Sequence, residues 1–162
     1  MASTTYSFRR NDSTFFGTIR WSRAVEAGLI VGAITFLLSR GIPWVGSGAI
    51  DPAIMGREIS PGKSPTPLFF LSIMVLHFCV AVLYALIIAP IVHGFKSWVA
   101  GMVGGIVGLV LYLINYAISG MLIDLSGSQR EWPSVVLHII FGIICAEAYK
   151  GFVRRRPVAP LL

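Results

Sequence analysis

The feature that most constrains this chain is the run from Trp98 to Ile123, which carries no charged residue. A stretch of that length crosses a bilayer as a helix. On a helix, Gly101, Gly104, Gly105 and Gly108 join Tyr112, Asn115 and Ser119 in one continuous stripe, small at one end and polar at the other. Apolar surface does not hold helices together in lipid, so close packing over glycine and interhelical hydrogen bonds must do so. This helix is therefore expected to be surrounded by other helices.

Composition extends the argument to the whole chain. Of 162 residues, 56% are hydrophobic and 12% charged, and the mean hydropathy is +0.80. A soluble domain carries about 25% charged residues, so the chain reads as one polytopic membrane bundle. Cys79 and Cys145 fall inside apolar runs and read as packing or membrane-facing residues. The net charge of +6 divides by membrane side and is no nucleic-acid signal.

Residues 1–20 form a basic polar tail whose Ser, Thr and Arg content resembles an organellar transit peptide. Phe8, Phe15, Phe16, Ile19 and Trp21 among its arginines suit a segment lying at the membrane surface, or a solvated tail with aromatic anchors. No apolar core precedes position 24, so a cleaved secretory signal is not expected. Residues 21–152 form the membrane domain, with spans at about 21–39, 68–92, 98–123 and 133–149, and 153–162 form a second basic tail. Ala24, Gly28 and Gly32 give the first span a small face. Residues 40–67 hold five prolines and five glycines and cannot be one regular element. A tight connection at His93–Ser97 makes the second and third spans antiparallel neighbours. Pro133 suits the start of the fourth helix.

Four spans place both termini on one side with Lys96. That side carries nine lysines and arginines and the other carries four, so the positive-inside rule makes both termini cytoplasmic. The basic tails are expected to attract anionic lipid headgroups.

A short internal repeat is visible. Leu76-His77 leads to Ala81 and Tyr84, and Leu137-His138 leads to Gly142, Cys145 and Tyr149. Each His-bearing helix follows a small-residue helix, Gly28/Gly32 first and Gly104/Gly108 second. The repeat would be parallel, two hairpins about an axis along the membrane normal. The same residues resemble the small YagU-like bacterial inner-membrane proteins, with Ala81 where a glycine would suit that pattern. The resemblance implies four short spans and a bacterial inner membrane, and no settled activity.

Intramembrane ionisable residues are the candidates for chemistry. His77 and His138 could ligate a haem or a chlorophyll, or sit neutral and bonded to a neighbouring helix. By helix rise His77 lies about 14 Å past Leu68 and His138 about 8 Å past Pro133, an offset that argues against one shared metal. Tyr112 or Asn115 is the expected partner of His138. Glu26 and Glu147 could share a site for a proton or cation; the local alternative pairs Glu26 with Arg23 and Glu147 with Lys150, each three residues away. No H-E-x-x-H, C-x-x-C, Walker, G-x-S-x-G or dinucleotide motif is present.

The expected fold is an all-α bundle of four transmembrane helices. The expected function is a non-catalytic accessory subunit of a larger bacterial membrane complex, respiratory or photosynthetic. Two alternatives are a haem- or chlorophyll-binding subunit using His77 or His138, and a small transporter or channel lined by Glu26, Asn115 and Glu147.

Overall fold

A computed structural model describes residues 15–41, 66–122 and 132–154. Residues 42–65 and 123–131 and most of the two tails lie outside these, among them the expected end of the third span at 123. One helical turn, α1 (Phe15–Thr18), precedes four long helices: α2 (Trp21–Gly41), α3 (Pro67–Val92), α4 (Ser97–Leu122) and α5 (Trp132–Arg154). Each of the four is long and apolar enough to cross a membrane, and the described residues contain no strand. The chain is an integral membrane protein of all-α class.

Local chemistry sets the helix ends. The Thr66 hydroxyl accepts from the Phe69 N–H at 3.2 Å and Pro67 opens α3, so two of that helix's orphan donors are answered or absent. Pro90 sits in the last turn of α3, where its missing N–H leaves the Leu86 carbonyl without its helical donor. The Phe95 N–H then closes a short turn on the Val92 carbonyl at 3.1 Å. As a result α3 and α4 are antiparallel, as their short connection requires. The fourth span continues past Tyr149 to Arg154. Lys150 and Arg154 are good helix formers, and cations at a helix C-terminus oppose its dipole.

The helices pack as two tight pairs, α2 with α3 and α4 with α5. Contacts of α5 with α2, and lighter contacts of α3 with α4 and α5, join the pairs. Glycine decides how close each pair comes. A methyl group at Gly104 would strike the Gly142 carbonyl oxygen, one at Gly108 the His138 carbonyl oxygen, and one at Gly142 the Gly104 carbonyl oxygen. In the other pair, a methyl at Gly28 would lie 2.9 Å from the Ala85 methyl, and one at Gly32 would lie 2.9 Å from that of Ala81. These contacts leave α4 and α5 almost backbone to backbone; α2 meets the α3 backbone at Val82 as well as the Ala81 and Ala85 methyls.

The contacts run in one register in both pairs. Gly28 meets Ala85 and Gly32 meets Ala81; Gly104 meets Ala146 and Gly108 meets Gly142. The sequence step from Gly28 to Gly104 equals that from Gly32 to Gly108. A second constant step carries His77, Ala81 and Ala85 onto His138, Gly142 and Ala146. Phe36 and Tyr112 also correspond, and each lays its ring against its pair's histidine, at 5.6 Å and 5.4 Å. The repeat seen in the sequence is thus a repeat of packing.

The buried core is Ile88, Val31, Val92, Cys145 and Tyr149 with small residues between them. Leu68, Met102 and Ile106 face outward, as lipid-facing side chains do. Trp98 and Trp132 are about two-thirds exposed, one near each end of the bundle, where indole rings favour the headgroup level. Cys79 is exposed and Cys145 buried, both free.

Replacing Gly108 with Val should force α4 from α5 and cost about 1–3 kcal/mol or more. Gly151, whose added methyl would meet nothing within 4 Å, should accept Ala with little change. Reversible unfolding in mixed micelles, followed by circular dichroism, separates the two variants.

Candidate functional site

His77 projects from α3 toward α2, and its Nε2 lies 3.0 Å from the Gly32 carbonyl oxygen. That oxygen only accepts, so Nε2 carries the proton. Gly32 makes the contact possible because it places no side chain between its carbonyl and α3. The Thr35 hydroxyl also donates to the Gly32 and Val31 carbonyls, at 3.1 Å and 3.0 Å. Phe36 and Phe78 pack against the His77 ring. His77 is therefore bonded to a neighbouring helix.

His138 behaves differently. Its Nδ1–H donates to the Ser134 carbonyl of its own helix at 2.8 Å. The ring lies between Tyr84 of α3, at 6.3 Å, and Tyr112 of α4, at 5.4 Å. Tyr112, one of the two expected partners, touches the ring edge-on, and the Nδ1 hydrogen bond goes to Ser134. Asn115 lies half-buried on α4, near where Tyr112 stacks on Tyr116. His77 is set between α3 and α2, whereas His138 is set between α5, α4 and Tyr84 of α3.

The two acids also part company. Glu26 pairs with Arg23 at 2.6 Å, the local pair expected. Glu147 instead accepts from the Ser97 hydroxyl of α4 at 2.5 Å. Its second oxygen occupies the space where a Gly101 side chain would be, 2.9 Å from that methyl position. Lys150 lies within the field of Glu147, as the local pairing expects, but its hydrogen bond goes elsewhere. Its Nζ donates to the His93 carbonyl at 2.7 Å, because the end of α3 leaves that carbonyl without a helical donor.

A polar knot thus forms where the α3–α4 turn meets α5. His93 Nδ1 lies 2.7 Å from the Tyr149 hydroxyl, and the Arg20 backbone and guanidinium also act on that hydroxyl. Burial, and then the nearby Lys150 charge, hold His93 below its ordinary pKa of 6.5. Sequence reasoning missed Ser97, His93 and Tyr149. The four-residue spacing of Ser97 and Gly101, a hydroxyl and a gap on one helix face, was the available signal for a long polar side chain opposite. In the first pair the positions equivalent to Ser97, Gly101 and Glu147 are Trp21, Val25 and Leu86. The shared packing does not demand this polar trio.

Glycine accounts for the rest of the sequence-chosen positions. Gly28, Gly32, Gly104, Gly105, Gly108 and Gly142 all lie at helix–helix contacts, and Gly101 makes room for the Glu147 carboxylate. A laterally open groove of about 450 Å³ between α2 and α3, walled by Leu29, Phe78, Val82 and Leu86, has an apolar lining. Among the described residues no three His, Cys, Asp or Glu side chains gather as a metal site. Comparison with known protein families, curated proteins and solved structures finds no match to this chain.

A double-mutant cycle on Ser97→Ala and Glu147→Gln should give a coupling energy of about 1 kcal/mol, and near-additivity would dissolve the pair. His93 adds a pH dependence of definite sign. Its proton affinity is lower folded than unfolded, so acid favours the unfolded chain. Stability should fall as pH drops below 6.5, and the loss should be complete below the folded pKa. His93→Gln should flatten that part of the stability–pH curve, read from unfolding in mixed micelles across the range.

Proposed function

We propose that this protein is a non-catalytic structural or accessory subunit of a larger complex in a bacterial inner membrane, of respiratory or photosynthetic type, with both termini cytoplasmic. The observation that carries this reading is how the intramembrane polar groups are used. His77 is spent on the Gly32 carbonyl, Glu147 on Ser97, Glu26 on Arg23, and the His138 Nδ1 on the Ser134 carbonyl. Each bond holds a helix to itself or to its neighbour. A path for an ion or a seat for a substrate would instead keep several such groups facing a common space. The outward faces of α3 and α4 are long and apolar, with Leu71, Val75, Leu83, Met102, Ile106 and Leu113 exposed. In a chain with so little mass outside the membrane, these faces are the surface available for partner helices.

One observation favours a second reading, a haem or chlorin ligand at His138. Its Nδ1–H is fixed by a backbone carbonyl, and metal-ligating histidines fix their far nitrogen in this way. Ligation through Nε2 would place a macrocycle among Tyr84 and Tyr112.

Purification in a gentle detergent, with mass spectrometry of partners and a visible spectrum of the same eluate, separates the readings. The accessory reading expects much larger membrane proteins to co-purify and no pigment to stay with the isolated chain. A lone chain or homo-oligomer, under conditions that keep known membrane complexes intact, would sink it. A visible band lost in His138→Ala, but kept in His77→Ala, would establish the second reading in its place.

A further inference from the structure

We infer that the last turn of α5, where it meets the α3–α4 turn, binds the phosphate of an anionic phospholipid headgroup between Lys150 and Arg154. Nothing in this inference rests on the accessory-subunit reading.

Lys150 and Arg154 stand one helical turn apart on the same face of α5, and Arg154 acts on Lys150 as a like charge. Two like charges at this spacing repel each other, and an anion between them relieves the repulsion. Among the described residues the acid that acts on Lys150 is Glu147, three residues before it, and its carboxylate is also held by Ser97. Glu26 is engaged by Arg23, and these two are the acids among the described residues. The same end of the bundle carries Arg20, Arg23 and Lys96 as well, so the surplus there is cationic. No ion pair is described for Arg154.

The site is also partly built. The His93 carbonyl holds the Lys150 ammonium at 2.7 Å, which fixes one prong and leaves its other N–H groups to donate. Arg154 is exposed and supplies a planar fork suited to phosphate oxygens. The α4 helix begins at Ser97 beside Glu147, so the positive end of its dipole lies close by. Exposed Trp98 and Phe95 mark this level as the headgroup layer. A phosphate at this height belongs to a lipid.

The internal repeat gives an independent reason to look for a ligand here. The first-pair equivalents of Lys150 and Arg154 are Ala89 and His93, and Ala89 is fully buried. The packing common to both pairs therefore requires neither cation. They are additions to the second pair, placed together at the membrane surface.

The test uses the full chain in nanodiscs of mixed phosphatidylglycerol and phosphatidylcholine, released into a native mass spectrometer. Wild type should retain phosphatidylglycerol in preference to phosphatidylcholine. Lys150→Gln with Arg154→Gln should reduce that retention by at least about fivefold, the headgroup attraction of a single basic residue. Arg23→Gln, which removes one charge from α2, should change it little beside Arg154→Gln alone. Lys150→Arg should keep retention. If loss of the Lys150 bond to His93 prevents folding, Arg154→Gln alone, at an exposed position, should still lower it. Equal loss in Arg154→Gln and Arg23→Gln would mean diffuse attraction and overturn the site. So would absence of any phosphatidylglycerol preference in wild type. Abolition of the preference by inorganic phosphate at low concentration would overturn the lipid assignment, leaving a site for a free anion.

Discussion

The contact of α4 with α5 over Gly104, Gly108 and Gly142 is the constraint on which the bundle depends. Backbone oxygens there sit where side chains would begin. In hydrocarbon no solvent term pushes two helices together, so the approach must be rewarded by close packing alone. That reward is steep in distance, because dispersion contacts vanish across a small gap. The pair therefore behaves as a rigid unit. Its rigidity brings Ser97 and Glu147 within hydrogen-bond distance and lets Lys150 reach across to the α3–α4 turn.

The two helix pairs show how one packing scheme takes on different contents. Gly28 and Gly32 face alanines, whereas Gly104 and Gly108 face a glycine and an alanine, and the second pair is correspondingly closer. Ala81, which stands where the second pair has Gly142, is the methyl that a side chain at Gly32 would meet. Polar groups follow the same division. The first pair has one bond between its helices at His77, while the second gathers Ser97, Glu147 and Lys150 at its basic end. The pairs are alike where helices must approach, and unlike where they meet the membrane surface.

The helices and their order were legible in the sequence because an uncharged run and a glycine stripe each have one economical reading in lipid. The repeat was legible for the same reason, since small residues must recur wherever backbones must touch. The site was less legible. That Glu147 would choose Ser97 over Lys150 depends on Gly101 opening a gap toward α5, a fact of interhelical geometry. That Lys150 would choose a carbonyl depends on where α3 stops. His138 turned to Ser134 because a histidine on a helix can satisfy itself with the carbonyl one turn back, an option present at every such position. Spacing along one helix predicts partners on that helix; it does not rank them against partners on another.

The place of α5 in the bundle has a consequence for how the protein is made. Of the four long helices, α5 follows the other three in the chain and touches each of them. Until it inserts, the glycine face of α4 has no partner and the carbonyl at the end of α3 has no lysine. The first helix pair can close while the chain is still being synthesised, but the second cannot. Closure of these four helices therefore waits for one inserting helix, which seals the glycine seam, binds the α3–α4 turn and joins the halves. A chain halted before that point would hold an unsealed small-residue face in the bilayer, the kind of surface by which membrane quality control recognises an unfinished protein.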